Sequence, residues 1–413
     1  MAIVGVHSGK YTAERDVRRI RDASIRLGAT HPVLNDRQFR VWRSYAVRAW
    51  PTLVAVDPRG TVVGMQAGEF TADAITPFLE RLIAEARAAG SLREAHEPLT
   101  PELPSQPPGL LEFPGKVALR GNRIAIADSG HHRVLLGSLD DVGATMRVER
   151  IVGAGLPGLD DGVSPTFRNP QGVAFGDEAL YVADAGNHAI RAISLETGAV
   201  RTLAGTGRQL RRESDRAEGA LSSPWDLAFA GSSLYVAMAG VHQIWKLDLV
   251  TGHCAPWAGS GAEELHDGSH AEAALAQPMG LSLAGDRLVV ADAESSAVRL
   301  VDLAGSGSVR TIVGTGLFDF GDVDAAGDAA RLQHPQGIAV GADGRWLVCD
   351  SYNDSLRWLD HETRTITTWV RGLNEPGGAA LSGCAAYVAD TNAHRIAVVD
   401  LDTAEVRTLT IVS

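Results

Sequence analysis

The 413-residue chain is 45% hydrophobic and 21% charged, with a formal net charge of −12, the profile of a globular protein long enough for two or more cores. No apolar run approaches the ~18 residues of a bilayer span, and the opening MAIVGVHSGK lacks a signal peptide's basic region, so a cytoplasmic location without a membrane partner is expected. Residues 1–90 hold 13 Arg/Lys against 9 Asp/Glu, leaving the remainder strongly acidic, which argues against nucleic acid as a partner. Cys254, Cys349 and Cys384 lie far apart without metal-ligand spacing, as in a reducing compartment.

In chain order, AIVGV (2–6) reads as a short buried strand. TAERDVRRIRDASIRLG (12–28) places Val17, Ile20, Ile25 and Leu27 at helical spacing, with Thr12 as N-cap and Gly28 as stop. A short helix near Arg37–Tyr45 leads to the turn Trp50-Pro51-Thr52, which opens an apolar strand over Thr52–Val56. The turn Asp57-Pro58-Arg59-Gly60 precedes a second strand over Thr61–Met65, and an amphipathic helix over 71–89 ends the region. Residues 91–113 then include Pro98, Pro101, Pro104, Pro107 and Pro108. Proline fixes φ and lacks an amide donor, so this stretch is expected to be an extended, semi-rigid linker.

From 114 onward the chain repeats. Six units are anchored by Pro114, Pro170, Pro224, Pro278, Pro335 and Pro376. Fourteen residues beyond five of these prolines stand Asp128, Asp184, Met238, Asp292 and Asp390; Asp350 follows Pro335 after one inserted residue. Each unit holds four short apolar stretches separated by turns. Units of about 50 residues that cannot cover both faces alone predict a six-bladed β-propeller over 114–413.

The segment Pro170–Ile190 resembles the NHL repeat, with the family's Asn-His pair at Asn187-His188. His132, His242 and His394 match the His position in other units; Ser296 and Asp354 depart there, and Met238 departs from the Asp. Residues 1–90 resemble a thioredoxin-like domain through the Trp50-Pro51-Thr52 turn and the element order β-α-(α)-β-β-α, and the ordered pair resembles NHL-repeat-containing thioredoxin-like proteins. The fold class expected is therefore multidomain: a small α/β thioredoxin-like domain plus an all-β six-bladed propeller. The resemblance implies that Pro51 is cis and that Trp50, Pro51 and Thr52 form a substrate-binding turn. It also implies a Cys-x-x-C segment, and residues 1–90 contain no cysteine. The chain opens at what resembles the family's second strand, so the first β-α unit is expected to lie upstream. In the rival reading, AIVGV slides into the vacant slot and gives a degenerate, non-redox domain.

In an up-down blade, the loops after the second strand and those between blades emerge on one face, which gathers Asp128, His132, Asp184, Asn187, His188, His242, Asp292, Asp350, Asp390 and His394. Their bland role is structural, the Asp accepting loop amides and the His or Asn capping its tight turn. Their functional role is to form a loop face that binds a protein or peptide partner. Some propellers of this kind hold zinc or calcium near the axis and act as lyases or lactonases, which takes three or four converging ligands. The repeat histidines occupy separate blades, and His266 and His270 sit in a loop, so no metal or other cofactor is assigned. DVDAAGD (322–328) has Ala326 where an EF-hand needs oxygen and Gln333 where it needs Glu. GAGLPG (153–158) matches a dinucleotide pattern but no helix follows it. The expected function is an interaction scaffold without catalytic residues. The alternatives are a thiol–disulfide oxidoreductase completed by an upstream Cys-x-x-C, and a metal-dependent propeller lyase or lactonase.

Overall fold

A computed structural model describes residues 2–68, 70–92, 109–304 and 307–412, in two units, 1–105 and 106–413.

In the N-terminal unit, β1 (Gly5–His7) pairs in parallel with β2 (Val33–Asn35), the crossover being α1 (Val17–Arg26). Asp16, not Thr12, caps α1: its carboxylate accepts the Arg18 N–H at 2.7 Å, and the Thr12 stretch forms a short 3-10 turn instead. The helix α2 (Arg40–Ser44) begins over the buried carboxylate of Asp36, which accepts the N–H groups of Arg40, Val41 and Trp42 at 2.7, 3.2 and 2.9 Å. Burial pushes the Asp36 pKa up, but these amides and the Ser8 hydroxyl outweigh it and hold it below the ordinary value. The strand β3 (Thr52–Val56) pairs antiparallel with β4 (Val62–Ala67), and α3 (Ala72–Ala88) follows, capped by Thr71.

The pairs β1–β2 and β3–β4 form two separate two-stranded sheets. The rival reading, with AIVGV beside β3, is thus not realised. The strand begins at Gly5 because its N–H is bound by Pro32 O and the ladder runs on to Asn35. Val6, Trp50, Val56, Val63 and Met65 are exposed in consequence.

The C-terminal unit is a ring of six four-stranded antiparallel blades whose innermost strands begin near the anchoring prolines. Blade 1 is built from Pro114–Arg120, Arg123–Asp128, Arg133–Leu139 and Thr145–Val152. Each blade alternates side chains to both faces, so apolar residues pack between neighbouring blades. One such layer joins blades 2 and 3 through Ile190, Leu227, Val236, Met238 and Trp245. Another joins blade 6 to blade 1 through Val117, Ile124, Leu135, Tyr387 and Val398. Leu111 belongs to that layer and Phe113 is also buried, so the end of the proline-rich stretch is part of the propeller. Residues 93–108 of the expected linker lie outside the described residues. A closing strand, Thr410–Val412, pairs in parallel with Thr145–Arg147 of blade 1 and gives that blade a fifth strand.

Candidate functional site

The repeated aspartates are fully buried at the ends of the second strands. Each accepts the N–H of the residue two before its anchoring proline: Asp128 from Glu112, Asp184 from Arg168, Asp292 from Ala276, Asp350 from Gln333 and Asp390 from Asn374, at 2.6–2.8 Å.

The second carboxylate oxygen engages an arginine that the sequence reading did not single out. Arg191 Nη1 lies 2.9 Å from Asp184 Oδ2, and its Nη2 lies 2.7 Å from Asp161 Oδ1 on the preceding loop. Asp161 in turn accepts the N–H and hydroxyl of Thr202 at 2.9 and 3.0 Å. Blades 4 and 5 repeat the chain as Asp292–Arg299–Asp267–Thr311 and Asp350–Arg357–Asp324–Thr368. Arg191, Arg299 and Arg357 are fully buried. Asp324 thus serves the DVDAAGD loop as an arginine anchor. Burial pushes Asp184 and Asp350 up to about 6, against the opposing pull of their amide and guanidinium partners. In blades 1 and 6 the arginine comes two residues earlier, as Arg133 and Arg395, at 2.7 and 2.8 Å from Asp128 and Asp390. Blade 3 replaces both partners at once: Met238 and Trp245 stand where blade 2 has Asp184 and Arg191, packed in one apolar layer. Asn187 Nδ2 donates to Asp184 Oδ2 at 2.8 Å and to Gly158 O.

The repeat histidines do not cap their own turns. Each Nδ1 accepts a backbone N–H from the next blade: His132 from Asn169, His188 from Ser223, His242 from Gln277 and His394 from Phe113, at 3.0–3.2 Å. Ser296 Oγ accepts from His334 and Asp354 Oδ1 from Glu375 in the same way. All six acceptor residues have φ between 50° and 55°, a left-handed turn that aims the side chain across the interface. Sequence reasoning treated Ser296 and Asp354 as departures, yet they keep the one atom the bond needs. Burial holds the pKa of His132 and His188 below the ordinary value, as suits neutral acceptors.

Near the axis, the residue two beyond each anchoring proline is Lys116, Gly172, Asp226, Gly280, Gly337 or Gly378. The strands crowd there: a Cβ on Gly172 would fall 2.6 Å from Asp226 Cα, and one on Gly337 2.6 Å from Gly378 Cα. The space left is filled by Lys116, whose Nζ donates to Gly377 O at 2.9 Å and to Gln336 O, and lies 3.5 Å from Asp226 Oδ2. Asp226 accepts the N–H groups of Leu227 and Leu281, both at 2.9 Å.

In the N-terminal unit the Trp50-Pro51 bond is cis. Trp50 is 48% exposed, its Nε1 donates to Ser8 O at 2.7 Å, and its ring lies 4.5 Å from Trp42. Thr52 Oγ1 donates to Ala49 O at 2.6 Å. The cysteines all lie in the propeller, where burial pushes the Cys254 and Cys349 thiols up to about 12, far from the thiolate form.

Among the described residues no three His, Cys, Asp or Glu side chains converge, and the repeat histidines are engaged in separate interfaces. His270 bonds Asp302 O at 2.9 Å and packs on Trp257. No helix among the described residues is long and apolar enough to cross a membrane.

Blade count, repeat register and the inter-blade bonds together define a six-bladed β-propeller. No family model matches the chain. NHL repeat-containing protein 2 of Homo sapiens is 38% identical over 465 residues, covering 100% of this chain and 63% of that protein. Protein SUPPRESSOR OF QUENCHING 1, chloroplastic, of Arabidopsis thaliana is 35% identical over 446 residues, covering 98% of this chain and 41% of that protein. The chain thus spans less than two thirds of the length of these curated relatives. Among solved structures, virginiamycin B lyase from Staphylococcus aureus aligns with a TM-score of 0.47 at 12% identity, over 73% of this chain and 85% of that one.

Proposed function

We propose that this chain is a protein-interaction scaffold: a rigid propeller whose loop face takes a protein or peptide partner, joined to a thioredoxin-like module without redox cysteines. The observation that carries this reading is that the repeated Asp, His and Arg side chains are consumed by bonds within the ring. What varies on the loop face is therefore the exposed inter-blade side chains, among them Leu156, Phe318, Arg168 and Arg211, and variable loops on a fixed frame are the usual vehicle of recognition. A photo-crosslinking residue placed at Leu156 or Phe318 in the full chain should capture a discrete partner in cells, and one at Val142 or Val250, in the hairpins of the opposite face, should not. Equal capture from both faces, or none from the loop face, overturns the reading.

A second reading, thiol–disulfide exchange, draws support from the N-terminal unit. Among the described residues β1 and β3 each pair with one strand only, and Trp50, ahead of β3, donates to Ser8 O just after β1, an arrangement that suits a further strand along these edges. In this reading a preceding segment supplies that strand together with Cys-x-x-C. In-frame codons for that motif upstream of Met1 support it, and a gene without them sinks it.

A further inference from the structure

The Lys116 side chain starts in blade 1 and reaches acceptors in blades 3, 5 and 6, so it crosses the axis. An ammonium has three donors and no acceptor, and here it meets three oxygens: Gln336 O, Gly377 O and a carboxylate oxygen of Asp226. Both Lys116 and Asp226 are nearly excluded from solvent, at 5% and 6% exposure. Burial raises the Asp226 pKa, and a carboxylate so buried stays ionised only with a cation beside it. Neutral carbonyls joined to one carboxylate form the all-oxygen donor set that hard cations such as Ca2+, Na+ or K+ accept, and not the nitrogen and sulfur set of zinc.

We propose that the propeller axis is a cation site whose permanent occupant is the chain's own Lys116 ammonium, held where a metal ion would otherwise sit. Lys116 thereby ties four blades together across the ring and closes the axis to metal. The four glycines at the equivalent positions leave the room that its stem needs; a Cβ on Gly378 would lie 2.8 Å from Lys116 Cδ.

Removing the ammonium while leaving its acceptors in place tests this. Thermal unfolding of the full chain and of its K116A variant is compared in CaCl2, NaCl, KCl and choline chloride at matched ionic strength. The wild type should respond equally to all four salts. K116A should melt lower in choline chloride and regain part of the loss in at least one metal salt, and the further change Asp226→Asn should abolish that recovery. Stoichiometric Ca2+ binding by the wild type that D226N removes overturns the proposal. So does a K116A variant that melts like the wild type, or one that melts lower but gains nothing from any metal salt. Should K116A not fold, amine acylation of the native wild type decides, since the chain has lysine only at 10, 116 and 246. Lys116 should label at least about a hundred-fold more slowly than Lys10, because reaching it requires opening the ring. Labelling at the rate of Lys10 overturns the proposal.

Discussion

His394 Nδ1 accepts the Phe113 N–H at 3.1 Å, so blade 6 meets blade 1 through the same bond that joins His188 to Ser223 in the middle of the ring. The ring therefore closes on the polar geometry used between every pair of neighbours, with an apolar layer beneath it.

Replacing His394 by Ala leaves the Phe113 N–H without its acceptor, which costs about 1–3 kcal/mol when the group is buried. His394→Asp should keep most of the stability, because Asp354 does this work between blades 5 and 6. Urea denaturation of the three proteins gives the comparison. An H394A curve superimposed on the wild type would show that the bond contributes nothing.

The histidine acceptors act only when neutral, and burial depresses the pKa of His188 from 6.5 in the folded state. Its contribution is complete above the unfolded value and is lost as pH falls through the depressed one. The stability difference between wild type and His188→Ser should therefore narrow on acidification below 6.5. A difference that stays constant with pH would contradict this.

Asp350 titrates in the opposite sense. Its pKa rises from 3.8 to about 6 on folding, so its contribution is complete below 3.8 and is lost as pH rises through about 6. Asp350→Asn should flatten this component of the stability profile between those values. Denaturation midpoints of wild type and D350N across this interval provide the test.

Blade 3 shows what the buried ion pair can be exchanged for. Met238→Asp alone would bury a carboxylate against Trp245 without the paired arginine that Arg191 supplies in blade 2, a change on the order of 3–5 kcal/mol. Adding Trp245→Arg should recover part of that loss, since the pair then matches Asp184 and Arg191. A double-mutant cycle read by chemical denaturation measures the coupling, and an additive outcome contradicts it.

The blade count was legible because the anchoring proline recurs in all six copies, with an Asp fourteen or fifteen residues beyond it in five of them, and short apolar stretches between turns have few other solutions. The arginine partners were less legible. They stand seven residues after the Asp in blades 2, 4 and 5 but five after it in blades 1 and 6, because either place on the third strand lets a long side chain reach the carboxylate. Their outer anchors, such as Asp161, lie about thirty residues away in loops of unequal length. Lys116 and Asp226 were not singled out in the sequence, because they lie 110 residues apart in different repeats and only the closed ring brings them within 3.5 Å. In the N-terminal unit the helices and hairpin were readable from periodicity and turn chemistry. The cap at Asp16 was misplaced because Thr12 is an equally good capping residue one turn earlier.

The closing strand Thr410–Val412 lies beside Thr145–Arg147, laid down some 265 residues before it. On the ribosome, blade 1 therefore waits with an open outer edge while all the other blades emerge. That edge is therefore among the last parts of the propeller to be covered. Until then it presents the open row of backbone donors and acceptors that a strand from another molecule would also fit, so covering it is a safeguard against pairing between molecules.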